Sequence, residues 1–179
     1  KKILIDLRYL RNLNYGFGQF CLALGTYLKE NPESHKDLDI TLHVPKSFVG
    51  KFGDKVRYIS PNKIRKPFPF LFPRFDIWHS TTQSQRYFYT PESCSRIITI
   101  HDLNMMSHYS GNKLRKRLNK LQKNIDISDH FTVISHFTEG EIKKHLVFDN
   151  KPITVNYVGV RNLTQDKQTK PTFVKSDAK

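Results

Sequence analysis

Seven short apolar runs are spaced along this chain, with stretches of helical periodicity between several of them. The runs are Ile3–Leu7, Ile40–Val44, Val56–Ile59, Phe75–His79, Ile97–Ile100, Phe131–Ile134 and Ile153–Tyr157. Each has the length of a strand, and most are closed by proline or polar residues. Phe20, Leu24, Tyr27 and Leu28 repeat at helical spacing until Asn31-Pro32 stops them. Leu114, Leu118, Leu121 and Ile125 step by three or four residues and so share one helical face. Thr138-Glu139-Gly140-Glu141 reads as a capping box opening a helix through about Leu146. Strands alternating with helices predict an α/β chain with right-handed crossovers. It is Rossmann-like and doubly wound, with a mostly parallel sheet of about seven strands and helices on both faces. Residues 1–160 form this domain. Beyond Val160 the periodicity disappears, and the polar, lysine-rich residues 161–179 predict a linker or tail. Such a fold assigns no function by itself.

The chain of 179 residues can bury one full core. No apolar run approaches the ~20 residues that span a bilayer, and Asp6 interrupts the first run where a signal peptide would stay apolar. A cytoplasmic location is the expectation. Cys21 and Cys94 have no metal-ligand spacing. Reduced thiols are expected, with a single disulfide left open. Thirty Lys and Arg face sixteen Asp and Glu, a formal charge of +14. That field draws nucleic acid, anionic membrane or phosphorylated ligands. A basic nucleic-acid- or anionic-membrane-binding module is therefore the alternative function, although no nucleic-acid motif is present. The basic amphipathic stretch 113–123 is a candidate for peripheral contact with the inner face of a membrane, where each basic residue adds ~1 kcal/mol. A merely solvated helix face is the other reading. The loop Lys63–Arg74 interleaves basic and aromatic residues and either contacts a membrane or a partner or folds over the core.

The run Ile97-Ile98-Thr99-Ile100-His101-Asp102 carries the chemistry. In an open α/β sheet, ligands sit beyond the carboxyl ends of the strands, so this strand delivers an imidazole and a carboxylate to that edge. His101 and Asp102 are the catalytic candidates. Asp102 either orients the imidazole and receives a proton, or caps a turn. His79 and Ser80 end a neighbouring strand and are candidates for a pocket wall, with His79 readable also as a core histidine. Gly16 and Gly18 follow the first strand. They permit either close approach to a phosphate or a tight turn. Ser135 and Thr138 stand at a helix start and either bind an anion or cap the helix. Gly16-Phe17-Gly18 is not followed by the spacing of G-x-G-x-x-G, and Pro45, not an acid, follows Val44. Both facts count against a dinucleotide-dependent oxidoreductase.

Four segments, taken in order, together resemble a known pattern. They are Tyr15-Gly16-Phe17-Gly18-Gln19-Phe20, Phe75-Asp76-Ile77-Trp78-His79-Ser80, Ile98-Thr99-Ile100-His101-Asp102-Leu103, and Asp129 through Thr138. The closing Ile153–Val160 fits the same order. The chain resembles the N-terminal domain of retaining nucleotide-sugar glycosyltransferases with the GT-B fold, family 4. It departs in a long loop over Arg8–Asn14, in Gln19 where many members carry Arg, and in Val158 and Arg161 where Asn and Asp are usual.

The resemblance implies an acceptor-binding half of a longer enzyme, inactive alone, whose C-terminal donor domain with its E-x7-E motif lies outside this sequence. The reaction implied is transfer of a sugar from a nucleotide diphosphate to the hydroxyl of a glycan or lipid-linked acceptor, with retention. No cofactor and no metal are implied. Gly16, Gly18, Ser135 and Thr138 would meet the donor phosphates, and His79 and Ser80 the acceptor. His101 would hydrogen-bond the donor sugar. This requires the imidazole to stand at the same rim as the glycine turn and to look out across a gap.

Overall fold

The computed structural model describes residues 1–60, 73–84 and 93–159. The expected linker at 161–179 and most of the loop at 63–74 lie outside the described residues. Seven strands form one sheet: β1 (Lys2–Asp6), β2 (Asp39–His43), β3 (Arg57–Ile59), β4 (Ile77–Ser80), β5 (Ser95–Ile100), β6 (His130–Val133) and β7 (Ile153–Val155). The helices are α1 (Gly16–Glu30), α2 (Met105–His108), α3 (Gly111–Asp126) and α4 (His136–His145). A 3-10 turn over Arg8–Arg11 joins β1 to the approach of α1. Every strand pair is parallel, in the order β3-β2-β1-β4-β5-β6-β7. The chain therefore winds outward from β1 in one direction and then from β4 in the other. The strand order reverses between β1 and β4, which is where ligands bind in sheets of this topology.

Register divides the core between the two faces. Ile5 pairs with Leu42 on one side and His79 on the other, and His79 pairs with Ile97, so these four share a face. Over the β1–β2 part of that face, Ile5, Ile40 and Leu42 pack with Cys21 and Leu28 of α1. The opposite face presents Ile98, Ile100, Phe131 and Val133, which pack with Leu121 and Ile125 of α3 and Ile142 of α4. Helices thus cover both faces. Strands buried on both sides explain why these segments read as continuous apolar runs.

Three expected boundaries shift for physical reasons. Helix α1 begins at Gly16, a turn earlier than the apolar repeat from Phe20. Two glycines hide that start, because glycine is a poor helix former and the apolar periodicity begins only after them. Helix α4 begins at His136, and its N-cap is Ser135, whose hydroxyl accepts from the Thr138 amide. The expected cap at Thr138 lies inside the helix. Ser135 and Thr138 stand in the N-cap and N3 relation, and the apolar run of β6 ending just before them obscured it. Strand β7 ends at Val155, not Tyr157, since Tyr157 is exposed past the last ladder bond. Both cysteines are buried and neither is in a disulfide, Cys21 in α1 and Cys94 before β5, so the disulfide alternative is not realised.

Candidate functional site

The chemistry-bearing residues gather at the carboxyl ends of β1, β4 and β5, at the reversal of strand order. His101 directly follows β5. Its ring Nε2 faces the carbonyl oxygen of Thr81, just past β4, at 2.8 Å. A carbonyl only accepts, so Nε2 carries the proton and Nδ1 keeps the lone pair. The main chain at His101 is held as firmly. Its amide donates to Gln83 Oε1 at 3.2 Å, and its carbonyl accepts from Thr138 Oγ1 at 3.0 Å. Gln83 Nε2 donates to the Asp102 carbonyl at 3.0 Å, so one buried side chain grips both ends of the 101–102 step. Asn124 of α3 donates in turn to the Gln83 carbonyl at 2.9 Å.

The imidazole lies on the rim where α1 begins. Phe17 and Phe20 of α1 meet it edge to face, with ring centroids 4.8 and 4.9 Å away. Tyr9 packs against Phe17 at 5.4 Å and its hydroxyl is hydrogen-bonded to Ser84. The ring is only 7% exposed. The expectation of a shared rim with the glycine turn agrees with this placement. The expectation of a ring looking openly across a gap does not, because the two phenylalanines close over it. Burial pushes the His101 pKa below the ordinary histidine value, against smaller opposing pulls from the Thr81 carbonyl and Asp102. The ring is neutral at pH 7, and its Nδ1 carries a lone pair.

Asp102 does not orient that ring. Its Oδ1 accepts from the Asn104 amide and its Oδ2 from Asn104 Nδ2, each at 3.0 Å. This is an Asx turn leading toward α2. Ser80 is wholly buried (0% exposed), and its hydroxyl donates to the Thr82 carbonyl at 3.0 Å. It fixes the turn after β4 and does not line an open wall. Half-buried His79 shares a hydrogen bond with Thr99 Oγ1 at 2.8 Å, and Thr99 with Thr132 Oγ1 at 2.7 Å. This polar chain crosses three strands on one face. Burial pushes the His79 pKa down to about 4, so it is the satisfied, neutral histidine of the two readings.

The glycines separate. A Cβ on Gly18 would overlap the Asn12 carbonyl oxygen, so its bareness serves the close approach of the Asn12–Leu13 backbone. Gly16 is exposed, and a methyl group in place of its hydrogen would meet nothing within 4 Å. It opens α1 toward the rim. Ser135 Oγ and Thr138 Oγ1 are 3.1 Å apart; the Ser135 hydroxyl caps α4, and the Thr138 hydroxyl holds the His101 carbonyl.

Several participants were not singled out from the sequence. Asp6 ends β1 in a buried position, and Arg8 chelates it through Nε at 2.9 Å and Nη2 at 2.6 Å. His43 Nδ1 lies 3.7 Å from Asp6 Oδ1. Burial would raise the Asp6 pKa, but Arg8 and His43 outweigh it and hold the carboxyl below the usual range. Thr81 Oγ1 donates to the Asp6 carbonyl at 2.5 Å, tying the end of β1 to the loop that holds His101. Cys21 Sγ lies 3.5 Å from the same hydroxyl, and burial raises its pKa to about 11, so the thiol is unreactive. The available signals were the Asp-x-Arg step at a strand end and the polar run Thr81-Thr82-Gln83-Ser84 where an apolar crossover would be usual. Among the described residues no His, Cys, Asp and Glu cluster could hold a metal ion. No helix of the described residues is long and apolar enough to cross a membrane. Arranged this way, the rim offers a rigid neutral imidazole, the amide-rich starts of α1 and α4, and exposed Tyr15, Phe137 and Tyr157 around them. No family model matches the chain, and no curated protein compared with it is similar.

Proposed function

We propose that this domain is the acceptor-binding half of a retaining GT-B-type glycosyltransferase of family 4. The enzyme would move a sugar from a nucleotide-diphosphate donor to the hydroxyl of a glycan or lipid-linked acceptor. The reading is supported by the ordered motifs and by the parallel sheet whose order reverses between β1 and β4. The observation that carries it is His101, whose ring is held at that reversal by Thr81 and flanked by the first turns of α1.

In this reading Phe17 and Phe20 part from the His101 ring and a donor-sugar hydroxyl donates to its Nδ1, because Nε2–H is committed to Thr81. The positive ends of α1 and α4 favour the charge that builds on the departing diphosphate. Most donor contacts would come from a second domain. Asp102 fixes the turn after His101, and a base role for it would require releasing Asn104.

The test is sugar transfer by the complete protein, offered nucleotide sugars and a panel of hydroxyl acceptors. The expected result is transfer with retention, falling at least about tenfold in kcat/KM for His101→Ala in a folded variant. Wild-type rates in that variant remove His101 from the reaction. A complete protein that transfers no sugar from any nucleotide donor overturns the reading.

A further inference from the structure

Helix α3 carries Lys113, Arg115, Lys116, Arg117, Lys120 and Lys123 against a single acid, Asp126. All six cations are exposed. Lys113, Lys116, Arg117, Lys120 and Lys123 fall at successive intervals of three, one, three and three residues. They therefore form a row along one side of the helix, about 15 Å long at 1.5 Å per residue.

Three observations set this row apart from an ordinary solvated face. First, α4 neutralises its own lysines, with Lys143 on Glu139 at 2.6 Å and Lys144 on Glu141 at 2.7 Å. Lys113, Lys116, Arg117 and Lys123 form no ion pair among the described residues. Second, two of the row's cations are gathered on one ring. Lys113 Nζ lies 4.6 Å and Arg117 Cζ 4.1 Å from the centre of Tyr109. Third, Leu118, Leu121 and Ile125 are packed into the core, so α3 is seated flat on the sheet and presents only its charged side.

We propose that this row is a docking surface for an anionic lipid bilayer. A straight row of cations on a seated helix matches a plane of negative headgroups, and the contact is electrostatic, since the apolar side of α3 is already spent. Nucleic acid fits less well. Most of the row is lysine, a point charge without the fork that reads bases. The Tyr109 ring, the aromatic beside the row, is engaged by Lys113 and Arg117 and not offered for stacking.

Vesicle flotation tests this without any assay of sugar transfer. The protein is expected to float with vesicles of phosphatidylcholine containing about one-third phosphatidylglycerol at ~0.1 M salt, where the Debye length is ~10 Å. It is expected not to float with phosphatidylcholine alone. The variant Lys113→Gln/Lys116→Gln/Arg117→Gln/Lys120→Gln should bind at least about tenfold more weakly, given ~1 kcal/mol per basic residue. A matched variant, Lys29→Gln/Lys46→Gln/Lys51→Gln/Lys55→Gln, removes the same charge from exposed sites elsewhere and should bind like wild type. Equal losses in the two variants assign binding to net charge and overturn the proposal. So does equal flotation with neutral vesicles, or tighter binding of a duplex or single-stranded oligonucleotide at the same salt. Circular dichroism of both variants confirms that they fold.

Discussion

The imidazole of His101 and the main chain of Thr81 close a bridge between the ends of β5 and β4, with Nε2 2.8 Å from the Thr81 carbonyl oxygen. The Thr81 hydroxyl extends that bridge to the Asp6 carbonyl at the end of β1. Three strand ends are thus tied together at the point where the strand order reverses. The bridge decides which ring nitrogen is protonated, and the walls of Phe17 and Phe20 decide that the ring stays neutral.

The tautomer has a direct spectroscopic consequence. Nitrogen shifts of His101 should show a protonated Nε2 and a bare Nδ1 at pH 7, with a titration midpoint below the ordinary ~6.5. A midpoint at or above that value, or the opposite tautomer, contradicts the geometry at Thr81.

Stability should fall on mild acidification. Burial holds His79 at about 4 in the folded chain, against ~6.5 in the unfolded chain. Between those values the unfolded chain binds the extra proton. The folded state is therefore fully favoured above pH ~6.5 and loses stability as pH drops toward ~4, by at most about 3 kcal/mol from this residue. His101, shifted in the same direction, adds to the slope. Denaturant midpoints measured across that range should decline in the wild type and decline less in His79→Gln. Parallel curves would show that His79 is not desolvated as described.

Gln83 is expected to matter more than its surface-like chemistry suggests. Gln83→Leu leaves the buried His101 amide and the Asp102 carbonyl without their partner. Each unsatisfied group costs about 1–3 kcal/mol, so the sum is about 2–6 kcal/mol of unfolding free energy. A loss below about 0.5 kcal/mol by denaturant unfolding would be that of an ordinary surface substitution.

Arg8→Met should destabilise the chain at neutral pH by about 3 kcal/mol, since the buried Asp6 carboxylate loses its chelating partner. Burial then dominates and the Asp6 pKa rises. As pH falls and Asp6 protonates, the deficit relative to wild type should shrink. A deficit that stays constant with pH would assign the loss to packing of the Arg8 stem alone.

The two glycines before the apolar part of α1 should respond oppositely to a methyl group. Gly18→Ala forces its Cβ into the Asn12 carbonyl and should cost about 1–3 kcal/mol. Gly16→Ala meets open space and should be neutral or stabilising by up to about 1 kcal/mol. Thermal unfolding of both variants distinguishes a packing role from a shared phosphate-facing role.

The elements themselves were legible in the chain. Ile97–Ile100 and Phe131–Val133 are short, β-branched or aromatic runs with the length of strands in a covered parallel sheet, and the spacing of Leu114, Leu118, Leu121 and Ile125 is that of a helix. Those patterns depend on neighbours within a few residues, and so does the placing of His101 at a strand end. The surroundings of His101 depend on strand order, which no local pattern encodes. Asp6, Thr81, Gln83, His101 and Thr138 meet because β1, β4 and β5 are adjacent and α4 follows β6. Local turns engaged other candidates: Asp102 is held by Asn104 two residues on, Ser80 by the Thr82 carbonyl, and Gly18 is bare because the Asn12 backbone six residues earlier lies against it. Residue type and spacing thus determined which groups reach the rim. Hydrogen bonds across long sequence separations, from Thr81, Gln83 and Thr138, decided how His101 is held there and which of its ring nitrogens is left to accept.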